Sequence, residues 1–170
     1  MTRADGTLVV SGEVAVVAFE RRLGHPVEAV WAALTGPDDL AAWLGPGTLE
    51  PHEGGLLSLR TGPNDRPERQ ITISGRVLVW DPPRVFEHEW VQPGVATSVV
   101  RYELEADAGG TILRFTHRRG VAAGAIGGRA GWHAYLDRLA AHLDGQPVPA
   151  WSDRRAEVQD VYGEAPLRGA

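Results

Sequence analysis

GWHAYLDRLAAHLDG, residues 131–145, carries Trp132, Tyr135, Leu136, Leu139, Ala140 and Leu143 at i, i+3, i+4, i+7, i+8 and i+11. That is the spacing of a helix with one apolar stripe. It predicts a helix from about 128 to Leu143, stopped by Gly145 and Pro147. Sixteen residues rising about 1.5 Å each make about 24 Å, the length of a seven-residue strand at about 3.3 Å per residue. A helix of that length with a single apolar face needs a sheet to lie on.

Upstream the chain supplies one. TLEP, LLSLR, QITISGRVLVW, RVFEHEW, VATSVVRYELEA and TILRFTHR follow one another from residue 48. They are separated by Glu53-Gly54-Gly55, the Gly62 to Pro67 segment, Asp81-Pro82-Pro83, Gln92-Pro93-Gly94 and the Asp107 to Gly110 segment, all rich in turn residues. Six such runs with no long helix between them predict an antiparallel meander. Before them, residues 7–23 are rich in β-branched residues and proline-free, a strand interrupted near Ser11-Gly12. Pro26 then opens a helix striped by Val27, Val30, Trp31 and Leu34, and Asp38 is placed to cap a second, carrying Leu40, Trp43 and Leu44. The expected architecture is α+β, a domain over 1–145. Residues 146–170 form a tail of the same domain, with a short amphipathic helix after Ser152 or Asp153 and a frayed end.

Composition narrows the function classes. Apolar residues at 43% and charged residues at 23% exclude a disordered or membrane-embedded chain, and 170 residues fit one domain. The net charge is -5 and the 17 basic residues, all arginine, form no block, which argues against nucleic acid as a partner. Without cysteine there is no disulfide, thiolate metal site or cysteine nucleophile. VAVVAF at 14–19 is too short for a membrane span or a signal core, and a cytoplasmic setting is expected.

The strings FERRLGHPVEAVWAALTGPDDLAAWLGP, GRVLVWDPPRVFEHEW, GGTILRFTHRRG and GWHAYLDRLAAHL, in that order over about 14–145, resemble the START-like, SRPBCC or helix-grip superfamily. Within it they are most similar to the branch of activator of heat-shock-protein-90 ATPase homologues. The resemblance implies a curved antiparallel sheet wrapped around the long C-terminal helix, with two short helices closing one end and a cavity between helix and sheet. Members of the superfamily bind lipids, polyketides, hormones or flavonoids, and some cyclise their ligand, so the fold alone leaves function open.

Strand alternation selects the candidate site residues. In RVFEHEW it groups Arg84, Phe86, His88 and Trp90 on the inner face, and in TILRFTHR it groups Thr111, Leu113, Phe115 and His117. His88 and His117 are candidates for donating to a ligand or for general-base work, or each makes one hydrogen bond in a polar corner of the core. Trp43, Trp80, Trp90, Trp132 and Tyr135 can line a ligand site or fill the core. Arg101 and Arg114 are read as outward surface charges, and Arg60 is undecided. GGRAG at 127–131 lacks the full spacing of a nucleotide loop, and its small residues are read as letting the helix start pass close to the sheet edge.

The expected ligand-binding set is therefore Trp43, Phe86, His88, Trp90, Phe115, His117, Trp132 and Tyr135, with no metal and no cofactor. The first expectation is binding of a small apolar or aromatic molecule between sheet and helix. A polyketide cyclase or hydrolase using His88 or His117 with Tyr135 as donor, and a chaperone-ATPase-stimulating interaction module, are the alternatives. A homodimer would cover exposed strand edges and the aromatic tail around Trp151 and Tyr162.

Overall fold

The computed structural model describes residues 5–120 and 128–164. Its strands are β1 (Thr7–Ser11), β2 (Val14–Leu23), β3 (Gly47–Leu49), β4 (Leu56–Thr61), β5 (Ile71–Asp81), β6 (Val85–Trp90), β7 (Ser98–Asp107) and β8 (Gly110–Gly120). Helices α1 (Val27–Thr35) and α2 (Pro37–Trp43) lie between β2 and β3, and α3 (Arg129–Leu143) and α4 (Trp151–Val158) follow the sheet. The strands form one antiparallel sheet in the order β1-β2-β8-β7-β6-β5-β4-β3. From β3 to β8 it is the expected meander. The closing step joins β2 to β8 in register from Val14↔Gly120 to Leu23↔Thr111.

The sheet bends along β5. A register shift between Val77 and Val79 inserts a bulge opposite β6, which kinks and twists the strand. Gly75 sits at the bend, where a Cβ would lie 2.1 Å from the carbonyl oxygen of Glu89. Only glycine lets the two backbones come that close.

Alternation places Phe19, Leu59, Ile73, Phe86, Tyr102, Leu113 and Phe115 on the concave face, all buried. The stripe of α3 meets them there: Trp132, Tyr135, Leu136 and Leu139 are buried, with Ala140 and Leu143 packed at the margin. The helix is enclosed on more than its stripe, because His133, Ala134 and Arg138 are buried as well. Arg138 explains much of this. Its guanidinium donates to the carbonyls of Trp43 (3.0 Å) and Ala42 (3.1 Å), where α2 ends, and to that of Pro149 ahead of α4. A cation at the end of a helix satisfies orphan carbonyls and favours the helix dipole.

Several sequence expectations shift by a residue or a face. Pro26 precedes α1 rather than opening it, and Asp38 lies in the first turn of α2, behind Pro37, which takes the first position and needs no N–H partner. Helix α4 begins at Trp151, before Ser152. Arg84 is exposed in the β5–β6 turn, paired with Asp81 at 2.8 Å, because β6 starts only at Val85 and alternation does not extend into a turn. Arg101 pairs with Glu87 and Glu103, and Arg114 with Glu20 and Glu105, on the outer face. Arg60 is exposed as well, bonded to Gln70.

Trp151 is buried, its indole N–H donating to the Gly131 carbonyl, and the Tyr162 hydroxyl receives the Gly6 amide at 2.8 Å. Among the described residues no helix is long and apolar enough to cross a membrane.

Candidate functional site

Where α1 and α2 close the sheet, Trp43 is edge-on to Tyr102 at 6.5 Å and Phe86 stacks on Tyr102 at 5.8 Å, all three buried. At the opposite end, a cavity of about 460 Å³ opens between the ends of β4, β6 and β8, the first turns of α3, and α4. Its aromatic walls are Trp90, Trp132, Tyr135 and Trp151. Trp90 and Trp132 meet edge-to-face at 5.3 Å, and Tyr135 and Trp151 lie 5.4 Å apart. Arg69, Arg119 and Arg155, with Gln92, Thr61 and His117, complete the polar part.

Of the eight residues selected by sequence, Trp90, His117, Trp132 and Tyr135 line this cavity. Trp43, Phe86, His88 and Phe115 do not; all four are buried core. The Trp43 indole N–H donates to the Ala33 carbonyl at 2.8 Å, tying α2 to α1. Trp80 packs against Trp31 and Phe86 at that same closed end. Alternation reports which face a side chain is on but not how far along the strand it sits, and that distance separates core from cavity.

His117 is held by a chain of hydrogen bonds. The Trp132 indole N–H donates to Nδ1 (2.9 Å), so in the neutral ring the proton is on Nε2, which donates to Ser98 Oγ (2.7 Å). The serine hydroxyl passes its own hydrogen to the Trp90 carbonyl (3.2 Å). Burial, with the charge of Arg119 and the neighbouring His88, lowers the His117 pKa to about 3. Both nitrogens are spent on structure, and the ring offers no lone pair for general-base chemistry. His88 donates from Nδ1 to the Glu89 carbonyl (2.8 Å), and burial lowers its pKa to about 4. The Tyr135 hydroxyl receives the Gly62 amide (2.7 Å), and burial raises its pKa to about 12. Burial thus keeps both imidazoles neutral at pH 7.

The start of α3 forms the cavity floor. Gly128 and Gly131 leave room for two side chains: a Cβ on Gly128 would collide with the Arg119 guanidinium, and one on Gly131 would sit 3.3 Å from the Trp151 ring. The small residues of this segment thus admit β8 and α4 side chains. The first amides of the helix are satisfied by Glu164, whose carboxylate accepts from Arg129 N (3.0 Å) and Ala130 N (3.1 Å). Gly127, the first residue of the GGRAG segment, lies outside the described residues. Among the described residues no group of three or more histidines and carboxylates is placed to hold a metal.

Residues 24–144 match the family described as activator of Hsp90 ATPase homolog 1-like protein. The chain belongs to that family. Solved structures extend the likeness beyond the matched residues of this Hsp90 ATPase activator-like domain. CalU16 from Micromonospora echinospora is 26% identical, with 94% of this chain and 92% of CalU16 covered at a TM-score of 0.73. A protein of Bordetella parapertussis is 30% identical, with 99% and 95% covered at a TM-score of 0.71. Among curated proteins none matches. The activator-like fold supports a ligand-binding domain in general.

Several cavity residues of this activator-like domain, Arg69, Arg119, Trp151 and Arg155 among them, escaped the sequence reading, as did Ser98 beside them. Arg119 continues the inner-face alternation two residues past His117, and Ser98 does the same ahead of Val100 and Tyr102 beside the cavity. Trp151 and Arg155 are four apart on α4 and share a face, a signal hidden by reading the aromatic tail as a surface for a second subunit to cover rather than as a wall. Arg69, in a short 3-10 turn, had no periodicity to find.

Proposed function

We propose that the protein binds one small aromatic molecule in the cavity between α3, α4 and the open end of the sheet, and does not convert it through either buried histidine. The observation that carries this reading is the wall of Trp90, Trp132, Tyr135 and Trp151 around about 460 Å³. That size is within the range of small-molecule sites, and aromatic rings give a planar ligand broad contact at little entropic cost.

The test is a fluorescence titration with N-phenyl-1-naphthylamine, a neutral aromatic probe. The expected result is saturable binding of one probe per chain, weakened about tenfold or more by Trp90→Ala in folded protein. The core variant Trp43→Phe should leave the affinity within about twofold, since Trp43 lies at the closed end. Absence of saturable binding overturns the proposal.

A further inference from the structure

We propose that β1 is an association edge for a second copy of this chain, the two β1 strands pairing antiparallel about Val9 and joining two sheets into one.

The two edges of the sheet are built differently. At one end of the strand order lies β3, three residues long and flanked by Pro46 and Pro51, which offers a newcomer little backbone. At the other end lies β1, TLVVS, five residues with no charge, no proline and an unbroken register against β2. Val9 is 60% exposed and Val10 is 53% exposed. An uncharged, aliphatic, regular edge of this kind lacks the devices that keep strand edges from pairing.

The register identifies the free backbone groups. Ser11 and Val14 close the β1–β2 hairpin around a two-residue turn, Gly12-Glu13, so Ser11, Val9 and Thr7 exchange their hydrogen bonds with β2. Leu8 and Val10 then direct their N–H and C=O groups away from it. Gly6 has the same parity, and its amide turns from β2 to the Tyr162 hydroxyl. Among the described residues no such partner meets the outward groups of Leu8 and Val10.

That arrangement is complementary to itself. Across a two-fold axis Leu8 faces Val10 of the second copy and Val10 faces Leu8 of the second copy, in two pairs that each exchange two backbone hydrogen bonds. Val9 lies on the axis, opposite Val9 of the second copy. The outer face then carries a row of four valines, Val16 and Val9 from each chain, and the rows beside it combine Val14 and Ser11 of one chain with Thr7 and Ala18 of the other. All of these side chains are uncharged. Just beyond each end Asp5 comes opposite Glu13 of the second copy, like charges that salt screens. A contact of five residues a side is small, so the expected dimer is weak, with a Kd on the order of 10–100 μM.

Sedimentation equilibrium of the full chain at moderate salt should show a monomer–dimer equilibrium in that range. Val9→Lys sets two cations opposite one another on the axis and should raise the Kd about tenfold or more. Leu56→Lys, at a similarly exposed position beside the β3 edge, should leave it within about twofold. The chain has no cysteine, so Val9→Cys introduces a single thiol. Facing residues of a non-hydrogen-bonded pair have Cα atoms about 4.5 Å apart, within reach of a disulfide, and mild oxidation should link two Val9→Cys chains but not two Leu56→Cys chains. Val9 is exposed, and thermal unfolding of its variants at low concentration checks that each retains the fold. A chain that stays monomeric to about 1 mM, or a dimer that Val9→Lys leaves intact, overturns the inference. A dimer in which Val9→Cys links no faster than Leu56→Cys overturns the pairing about Val9.

Discussion

His117 shows how a residue that looks catalytic becomes structural. Its two nitrogens are the middle of a relay from the Trp132 indole to the Trp90 carbonyl, and removing one donor leaves a buried acceptor unpaired. Trp132→Phe should therefore lower stability by about 1–3 kcal/mol beyond its lost packing, measured by urea unfolding. The same burial makes stability depend on pH. In the folded protein His117 and His88 titrate near 3 and 4, below the ordinary 6.5 that they regain on unfolding. Below about 6.5 the unfolded chain binds protons that the folded chain refuses. The stabilising effect is complete above that pH and is lost as pH falls toward about 4, at up to about 1.4 kcal/mol per unit for each imidazole. Asp137, held well below its ordinary value by His133, Arg21 and Arg154 against the opposing effect of burial, keeps its contribution across that window. Unfolding free energies at pH 7 and pH 5 should differ accordingly, and His88→Gln should remove about half of the difference. An unchanged slope in that variant would show His88 charging freely in the fold.

The elements themselves were largely legible. The α3 stripe, the six-run meander and the paired short helices follow from periodicities of 3.6 and 2 and from turn residues, because each element buries only one face. The site was legible only in part, for a geometric reason. Phe86, His88 and Trp90 share a face of β6, yet the first two lie toward the end sealed by α1 and α2, and only Trp90 reaches the cavity. Where a neighbouring element closes the sheet is a tertiary fact that no single strand records. The cap on α3 is of the same kind. Gly128 has no side chain to supply, and the acceptor comes from Glu164, 35 residues away from Arg129. Glu164→Ala should cost about 1–2 kcal/mol and speed amide exchange in the first turn of α3, while Glu164→Gln, which keeps one acceptor oxygen, should cost less. Equal exchange rates in all three proteins would mean that the helix start is held by other contacts.

Taken together, the molecule is fastened around α3 from three sides: the sheet, the α1–α2 pair through Arg138, and the segment from 146 onward through Trp151, Tyr162 and Glu164. The matched family region ends at 144, yet α4 supplies Trp151 and Arg155 to the cavity. A chain ended at Gly145 should lose at least about 3 kcal/mol of stability, from the uncovered aromatic surface and the uncapped helix, and with it saturable probe binding. Unfolding and titration of that shorter chain would check both.

The pairing of β2 with β8 has a consequence in time. Their register joins Leu23 to Thr111 and Val14 to Gly120, so β2 is made about 100 residues before its partner is complete. At about 5–20 residues per second, synthesis leaves the β1–β2 hairpin waiting for about 5–20 s. During that interval the inner edge of β2 offers its full row of unmatched amides and carbonyls beside Val17 and Phe19, which become core only afterwards. Every newborn copy thus passes through a period of strand-ready exposure whose length is set by the order of the strands, and which no amount of final stability can shorten.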